Sequence, residues 1–373
     1  MSGQKSFFQK AIEFHKRQPL VRLSPYVLSR FHCNEPKVVD IELTNRCNLR
    51  CKMCWFYGER GIGDRYQGSE LSTHEVFSLV DQLSKYKPNI YLGGSEPFLR
   101  QDLFIILEYI KSQGFIVECA TNGTLLDHGK IEILVTLKVD HITFSVDGQE
   151  KLHDNIRGEG GFKKVTLAIK ELSEFKKKRG SIKPKISVNI TITAHVPGHL
   201  EEIINALKDA TNDGVDSYRI HHLWYITNGE LSAHQSAIKQ LLGCMAAGAK
   251  SHLIPGSQVL DATSLANEIS SLTNWSKVTS FPDLAYKDIL KYYSEDGCIK
   301  DRCIAPFLVA VVKPNGDVKF CPDEWIDDFV LGNVRNEKFE NMWNNDKARQ
   351  FRAVLFKQKY FAGCKRCSWM YAF

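Results

Sequence analysis

The sequence has no run of about 18 consecutive apolar residues, the length that a membrane-spanning helix requires. Its first twenty residues, MSGQKSFFQKAIEFHKRQPL, also lack the uninterrupted apolar stretch of a secretory signal peptide. These two absences predict a cytoplasmic protein with no membrane association.

A large excess of charge of one sign is absent too. The formal net charge is +6 over 373 residues, and the 43% hydrophobic and 25% charged content is that of an ordinary soluble globular protein. The basic run KKKRG at residues 176–180 ends a helix-like segment, where cations complement the helix dipole. We therefore favour a solvated helix end over a nucleic-acid contact. The length allows two or three domains.

Cysteines are plentiful, with eleven in the chain. Disulfides are rare in a reducing compartment, so this number points to metal binding or catalysis. Seven of the eleven form two groups, and the first is CNLRCKMC, with Cys47, Cys51 and Cys54. A structural zinc site would need a fourth ligand nearby, and none follows for many residues. The question is what requires three thiolates and one open position.

Strand and helix patterns alternate about six times over residues 37–222, which predicts a parallel sheet closed or partly closed into a barrel. Ser72 is the predicted N-cap of the first of these helices. The cysteine triad follows the first strand, at the edge where barrel enzymes keep their active sites. The turns GGSEP, TNGT and SVDG follow the next three strands, although each alone is equally consistent with a tight turn.

Together, the triad and these turns resemble the radical S-adenosylmethionine (SAM) superfamily, and the resemblance covers most of the chain. It implies a partial (β/α)6 TIM-like barrel in which Cys47, Cys51 and Cys54 hold a [4Fe-4S] cluster. Three thiolates bind three irons, and the fourth iron stays free to bind SAM. Reductive cleavage of SAM then gives a 5'-deoxyadenosyl radical, which removes a hydrogen from an unactivated carbon.

The resemblance extends to residues that contact SAM. Gly93, Gly94 and Glu96 in GGSEP match the glycine-rich segment of the family, whose backbone and glutamate meet the SAM amino group. The residue before the third cysteine is often aromatic in this family, so that it lies against adenine. Here it is Met53, and a polarizable thioether can fill that role.

SVDG supplies Ser145 and Asp147, at a place where such enzymes contact the ribose or carboxylate of SAM. Arg157, in the following HDNIRG, resembles an arginine used for the SAM carboxylate. An arginine at this position could equally form a surface ion pair.

The second cysteine group comprises Cys303, Cys321, Cys364 and Cys367. FLVAVVKPNGDVKFC, which contains the second of them, predicts two strands joined at an Asn-Gly turn. Alone, four such cysteines leave a zinc ribbon and an iron-sulfur site equally open. Beside a radical SAM core they resemble the shortened SPASM or twitch domain, a small α+β unit that binds one auxiliary [4Fe-4S] cluster. The chain stops six residues after Cys367, so we expect no second auxiliary cluster. Ligation of the auxiliary cluster by four cysteines implies that it transfers electrons and does not bind the substrate.

Candidate substrate residues are less specific. Some radical SAM epimerases use a cysteine thiol to return a hydrogen atom, and Cys244 or Cys298 could do so, although an unreactive thiol explains either one. His221 ends the sixth strand and is a candidate general base. Further candidate contacts are His222, Trp224 and Tyr225, of which the two aromatics could instead be packing residues.

The predicted organisation is a helical extension over residues 1–35, a radical SAM barrel over 36–230, a helical bridge over 231–297 and a twitch domain over 298–373. The predicted function is hydrogen abstraction from a natural-product intermediate or a ribosomal peptide, with oxidation assisted by the auxiliary cluster. The expected cofactors are two [4Fe-4S] clusters and SAM, and the expected electron donor is a flavodoxin or ferredoxin. About 35 residues before the first strand are too few for a leader-binding domain. The alternatives are an epimerase and a zinc-binding interaction protein.

Overall fold

The computed structural model describes residues 31–63, 68–254, 260–294 and 297–373. Most of the predicted N-terminal extension therefore lies outside the described residues. Ten strands form one sheet. The strands are β1 (Val38–Ile41), β2 (Asn89–Leu92), β3 (Val117–Thr121), β4 (His141–Ser145), β5 (Lys185–Thr191), β6 (Ser217–His221), β7 (Val278–Phe281), β8 (Val309–Val312), β9 (Asp317–Lys319) and β10 (Gly332–Asn333).

Twelve α-helices lie in the described part of the chain, and most of those before β7 connect parallel strands. They are α1 (Thr73–Leu83), α2 (Leu103–Ser112), α3 (His128–Thr136), α4 (Glu150–Arg157), α5 (Gly161–Lys178), α6 (Leu200–Ala210), α7 (Asn228–Leu242), α8 (Ala262–Leu272), α9 (Tyr286–Tyr292), α10 (Phe339–Trp343), α11 (Asp346–Gln358) and α12 (Ser368–Ala372). Within these described residues, no helix is long and apolar enough to cross a membrane.

The sheet is open, with the strand order β10-β9-β8-β1-β2-β3-β4-β5-β6-β7. Pairing is parallel from β8 through β7, and only β9 and β10 run antiparallel to their neighbours. The order does not return from β7 to β10, so the predicted partial barrel is confirmed. The six predicted strand and helix units correspond to β1 through β6.

Helices that connect the parallel strands bury one apolar face. In α1 the buried residues are Val76, Leu79, Val80 and Leu83, which recur at the three- and four-residue spacing of one helix face. The strands alternate accordingly: Ile90 and Leu92 of β2 are buried, while Tyr91 between them points to the inside of the barrel.

Two features of the sheet differ from a simple barrel with an appended domain. The stretch 231–297, predicted as a helical bridge, contains helices α7 to α9 but also the strand β7, which pairs with β6. The predicted C-terminal hairpin forms β8 and β9, and β8 pairs in parallel with β1. The C-terminal region therefore extends the barrel sheet.

Candidate active site and metal centres

A cavity of about 610 Å³ opens at the carboxyl ends of the parallel strands. This volume is typical of a small-molecule site. Cys47, Cys51 and Cys54 line one part of its wall, on the loop that follows β1. The cavity is also lined by residues from β2, β5 and β6 and from the C-terminal region, so one space joins both halves of the chain.

Backbone amides lie close to two of the three sulfurs of the triad. The Leu49 N–H lies 3.4 Å from Cys47 Sγ, and the Tyr57 N–H lies 3.3 Å from Cys54 Sγ. Amide donors directed at sulfur stabilise negative charge on it. The tight loop geometry that creates these contacts also includes the hydrogen bond from Cys54 N–H to the Cys51 carbonyl, 3.0 Å long.

Cys51 is the most buried of the three thiols. Burial raises its pKa to about 11, although the nearby Arg157 guanidinium opposes the shift, and the pKa of Cys47 is also raised by burial. In the free protein these thiols are therefore protonated at neutral pH. A metal that binds here must displace the protons, as metal binding to thiols generally does.

The donor set fits a cluster with one open iron. Each thiolate of a [4Fe-4S] cluster binds a different iron, so the sulfurs need not meet at one point. Across the described ranges, no group of three or more His, Cys, Asp or Glu side chains could hold a metal ion. A tetrahedral zinc site needs its ligands to meet around one ion, and neither cysteine group does so.

Arg157 lies beside the triad and lines the cavity. Its Nη1 is 3.9 Å from Cys51 Sγ, and its Nε donates a 2.6 Å hydrogen bond to Asp147 Oδ2. Asp147 is fully buried, does not line the cavity, and also accepts from the Thr191 N–H at 2.7 Å. The carboxylate therefore positions Arg157 and is not exposed to a ligand in the cavity. The sequence also allowed Arg157 to form a surface ion pair, but the Arg157–Asp147 pair is not at the surface.

Glu96 lines the cavity and is 1% exposed. Its carboxylate accepts from Thr121 Oγ1 at 2.8 Å, from the Asn122 N–H at 2.8 Å and from the Phe98 N–H at 3.2 Å. Burial raises its pKa to about 7, and these three donors oppose the shift. The carboxylate is therefore held in one orientation and titrates near neutral pH.

The remaining predicted SAM contacts are distributed around Glu96. Gly94, Met53 and Ser145 line the cavity. Gly94 has φ +86°, and a Cβ there would lie 3.0 Å from the Glu42 side chain, so only glycine fits. Gly93 does not line the cavity; a Cβ on it would lie 2.4 Å from the Tyr91 ring, so its role is to let the chain pass close to β2.

His221 and Trp224 line the cavity, but the other two candidate substrate contacts do not. His222 is fully buried, with Nδ1 2.9 Å from the Tyr293 hydroxyl, and Tyr225 packs under the Arg366 guanidinium at 4.1 Å. Burial, with a contribution from Arg219, lowers the pKa of His221 to about 4. His221 is therefore neutral at physiological pH, and it is a weaker base than an ordinary histidine.

Neither candidate hydrogen-donor cysteine reaches the cavity. Cys244 Sγ lies 3.7 Å from the carbonyls of Leu242 and Asp328, and Cys298 Sγ lies 3.1 Å from the Lys300 carbonyl. Neither residue is among those lining the cavity. A hydrogen donor must meet the substrate radical, so we do not assign that role to either thiol.

The second cysteine group surrounds a small buried cavity. Cys303, Cys321, Cys364 and Cys367 all line it, and the rest of its lining is mainly apolar and aromatic. Burial raises the pKa of each thiol, to about 11 for Cys303, and the other cysteines of the group add to the shift in Cys321, Cys364 and Cys367. Four thiols in a dry pocket fit a fully ligated iron-sulfur cluster.

An aromatic stack runs between the two cavities, which also share Pro322 and Trp369 in their linings. Trp55, next to Cys54, stacks on His252 with ring centroids 6.1 Å apart, and His252 stacks on Trp325 at 4.1 Å. Trp55 and His252 line the larger cavity, whereas Trp325 lines the smaller one. The two cysteine groups are therefore joined by three stacked rings.

Several cavity residues were not predicted from the sequence. Asp40, Tyr91, Asn189 and Arg219 come from the middle of strands, and Asp323 comes from the loop after Cys321. Strands buried on both faces are usually apolar throughout. The polar residues in VVDI, NIYL, KISVNIT and SYRIH alternate with apolar ones, and this period of two could have revealed a polar barrel interior.

Comparison with known proteins supports the two-part organisation. The family model of the radical SAM superfamily matches residues 41–207, and that of SPASM, an iron-sulfur cluster-binding domain, matches residues 303–368. Among curated proteins, the chain is 25% identical over 340 residues to pre-heme d1 synthase of Dinoroseobacter shibae, covering 87% of this chain and 79% of the relative. It is also 25% identical over 353 residues to the tungsten-containing aldehyde ferredoxin oxidoreductase cofactor-modifying protein of Pyrococcus furiosus, covering 89% and 87%.

Solved structures show the same fold at low sequence identity. SuiB of Streptococcus suis bound to S-adenosylmethionine has a TM-score of 0.61 and 16% identity, covering 91% of this chain and 77% of that one. SuiB bound to its precursor peptide SuiA has a TM-score of 0.63 and 13% identity, covering 98% and 83%.

Proposed function

Because this chain belongs to the radical SAM superfamily and carries a SPASM iron-sulfur domain, we propose that it oxidises an organic substrate bound in the large cavity. The observation that carries this proposal is the position of the cavity. It has the three-cysteine group on its wall, and the Trp55–His252–Trp325 stack, together with Pro322 and Trp369 which line both cavities, lies between it and the four-cysteine group. A substrate there would lie between the two metal centres.

Cys47, Cys51 and Cys54 would hold a [4Fe-4S] cluster with one iron open to SAM, and Cys303, Cys321, Cys364 and Cys367 would hold a second, fully ligated cluster. When bound, these groups and SAM supply a 5'-deoxyadenosyl radical that removes a hydrogen atom from the substrate, and an acceptor for the electron that the substrate radical then loses. We propose that each chain holds two clusters.

The chain's own residues bind and orient these components. Glu96 presents a buried carboxylate to the SAM ammonium, and Arg157, fixed by Asp147, presents a guanidinium to the SAM carboxylate. Met53 and Ser145 line the same part of the cavity. His221 is neutral and at the cavity wall, where it can accept a hydrogen bond from the substrate, and its lowered pKa makes it a weak base for the proton that an oxidised substrate releases.

Oxidation is better supported than epimerisation. An epimerase of this type returns a hydrogen atom to the substrate, and the only cysteines that line the cavity within the described ranges are the three of the triad. A zinc-binding interaction protein is also less well supported, because the triad has no fourth cysteine and borders a large cavity.

The substrate is proposed to be a natural-product intermediate or a peptide. One relative is named for a small-molecule product, pre-heme d1, and SuiB was solved with a precursor peptide. The cavity volume of about 610 Å³ accommodates a small molecule or a single peptide segment beside SAM. We propose a cytoplasmic location with a flavodoxin or ferredoxin as donor, since the clusters require a reducing supply of electrons.

The first experiment is to measure iron and sulfide after anaerobic reconstitution, in the wild type and in two variants. One variant has alanine at Cys47, Cys51 and Cys54, and the other has alanine at the four cysteines of the second group. We expect about eight irons per wild-type chain and about four in each variant, with 5'-deoxyadenosine produced from SAM in the wild type and lost in the triad variant. Zinc in place of iron, or no SAM cleavage by the wild type with a strong reductant, would contradict the proposal.

A further inference from the structure

The inner part of the large cavity carries an unusual set of buried charges. Asp40 and Asp323 line the cavity, and two further carboxylates, Glu42 and Glu324, lie next to them. The Lys313 ammonium pairs with Glu42 and lies 2.6 Å from Glu324, and the charge of Glu42 acts on the carboxyl of Asp40. We call Asp40, Glu42, Asp323 and Glu324 the acidic floor.

The two lysines at the floor are already engaged. Lys313 bridges Glu42 and Glu324, and Lys319 lies 3.1 Å from Glu324 and donates to the Asp327 carbonyl at 2.5 Å. Four carboxylates and two ammonium groups leave two negative charges uncompensated if all are ionised. Glu118 and Arg219, which are nearby, offset each other. The uncompensated positions are therefore Asp40 and Asp323, the two that border the cavity.

Unsatisfied acceptors mark the same surface. Asp40 is 5% exposed, yet its Oδ1 has no hydrogen-bond partner among the described residues. Asp323 Oδ2 and Asn189 Oδ1 are also buried atoms without a partner, and both residues line the cavity. A buried polar atom without a partner costs about 1–3 kcal/mol. Among the described residues that line this cavity, the buried donors without a partner are two neutral groups, Trp224 Nε1 and the Thr193 hydroxyl.

Burial and the neighbouring carboxylates Glu42 and Asp323 raise the pKa of Asp40 well above its usual range, against a smaller opposing effect of Lys313. A cation bound beside Asp40 would oppose this shift and favour the ionised carboxylate. A divalent metal ion fits poorly, because no group of three or more His, Cys, Asp or Glu in the described residues could hold one. An ammonium group suits the surface better, since it offers three donors to acceptors that lie apart.

We propose that the acidic floor binds a protonated amine of the substrate, held by Asp40 and Asp323. The inference rests on the proposed function, because the amine belongs to the molecule from which hydrogen is removed. Asp40 comes from the first strand of the barrel and Asp323 from the loop after Cys321, so an amine held by both would place the substrate between the two halves of the chain. The amine belongs to either a small molecule or a lysine side chain of a peptide.

The test is equilibrium binding to the reconstituted protein with SAM, without reductant, so that no turnover occurs. Cyclohexylamine is compared with cyclohexanol, and the peptide acetyl-Gly-Lys-Gly-amide with the same peptide acetylated on the lysine. We expect at least one amine to bind about tenfold or more tightly than its neutral counterpart. Preference for cyclohexylamine identifies a small-molecule amine, and preference for the lysine peptide alone identifies a peptide substrate.

The variants locate the binding. Asp40→Asn and Asp323→Asn keep the side-chain shape and remove the charge, so each should reduce the preference for the amine about tenfold. Asp209→Asn, on the exposed face of α6, is the matched control and should keep the full preference. Two independent variants keep the test decisive if one of them folds poorly.

Equal binding of both amines and their neutral counterparts by the wild type would overturn the inference, and so would an unchanged preference in both floor variants. Neither result would contradict the proposed function. That is judged separately by iron content and SAM cleavage of the wild type, which do not depend on an amine.

Discussion

Glu96 links a local turn to the chemistry proposed for the cavity. It is the N-cap of a short 3-10 turn at Pro97–Leu99, and two of its three hydrogen-bond donors, Thr121 Oγ1 and the Asn122 N–H, come from the end of the neighbouring strand β3. Burial gives the carboxyl group a pKa of about 7. A small change of pH therefore changes the charge that the cavity offers to an ammonium group.

We expect the affinity for SAM to fall as the pH decreases below about 7. The protonated Glu96 cannot attract an ammonium group, and the loss approaches about tenfold per pH unit. Titration calorimetry between pH 6 and 8.5 measures this effect. The Glu96→Gln variant should bind SAM weakly, without the pH dependence that Glu96 causes. A wild-type affinity that does not change across this pH range would contradict the assignment.

Asp40 gives a second prediction, for stability. Because its pKa is raised in the folded protein, the folded state binds this proton more tightly than the unfolded state does. The contribution of Asp40 to the free energy of unfolding is thus full at acid pH. It is lost as the pH rises through the pKa that Asp40 has in the folded protein.

Asp40→Asn should therefore raise the free energy of unfolding by about 1–2 kcal/mol more at pH 8.5 than at pH 5.5, because the cost of burying the Asp40 charge grows with pH. Urea denaturation of the reconstituted wild type and variant measures the difference at both pH values. A variant that is less stable than the wild type at pH 8.5 would show that the Asp40 charge is compensated.

Among the elements, helix α1 shows what local sequence determines. Ser72 accepts from the Glu75 N–H, and the Glu75 carboxylate accepts from the Ser72 N–H, so a complete capping box begins the helix. This start was predicted from the sequence, because a capping serine satisfies backbone groups within its own turn. Strand β7 has no such local determinant. It is four residues long, and its hydrogen-bonded partner β6 is remote in the sequence.

Ser72→Ala should lower the free energy of unfolding by about 1 kcal/mol, because the cap hydrogen bond is lost. Ser78→Ala is the control: Ser78 is exposed in the middle of the same helix, and alanine is the better helix former there. Chemical denaturation of the two variants measures the difference. Equal destabilisation by both substitutions would contradict a capping role.

For the whole molecule, the junction between the two cysteine-bearing halves is the main structural feature. β8 pairs with β1, and the Glu42 N–H donates to the Val312 carbonyl at 2.9 Å. Lys313 is 2% exposed and neutralises carboxylates from both halves, Glu42 and Glu324. Arg366 similarly joins the C-terminal segment to helix α7 through Glu230, at 2.8 Å. The two halves therefore form one sheet with buried charges at the junction.

Lys313→Met should destabilise the protein by about 3–5 kcal/mol, because it leaves the buried Glu42 carboxylate without a counter-ion. Lys85→Met is the matched control, since Lys85 pairs with Glu340 across the same halves but is 51% exposed. A surface pair contributes about 0–1 kcal/mol. Thermal and urea denaturation compare the two, and a similar small effect for both variants would show that the junction charges are solvated.

The sequence by itself determined what depends on short spacing. The triad at Cys47, Cys51 and Cys54, the six strand and helix units, the Ser72 cap and the C-terminal hairpin all follow from neighbours along the chain, because a metal cluster, a helix face and a tight turn each impose a fixed residue interval. Tertiary structure alone decided which side chains share the cavity. It placed His221, but not His222, at the cavity wall and kept Cys244 and Cys298 away from the cavity. It also paired Asp147 with Arg157 and placed Asp323 near Asp40. Strand register and long-range pairing set these placements, and no local pattern encodes them.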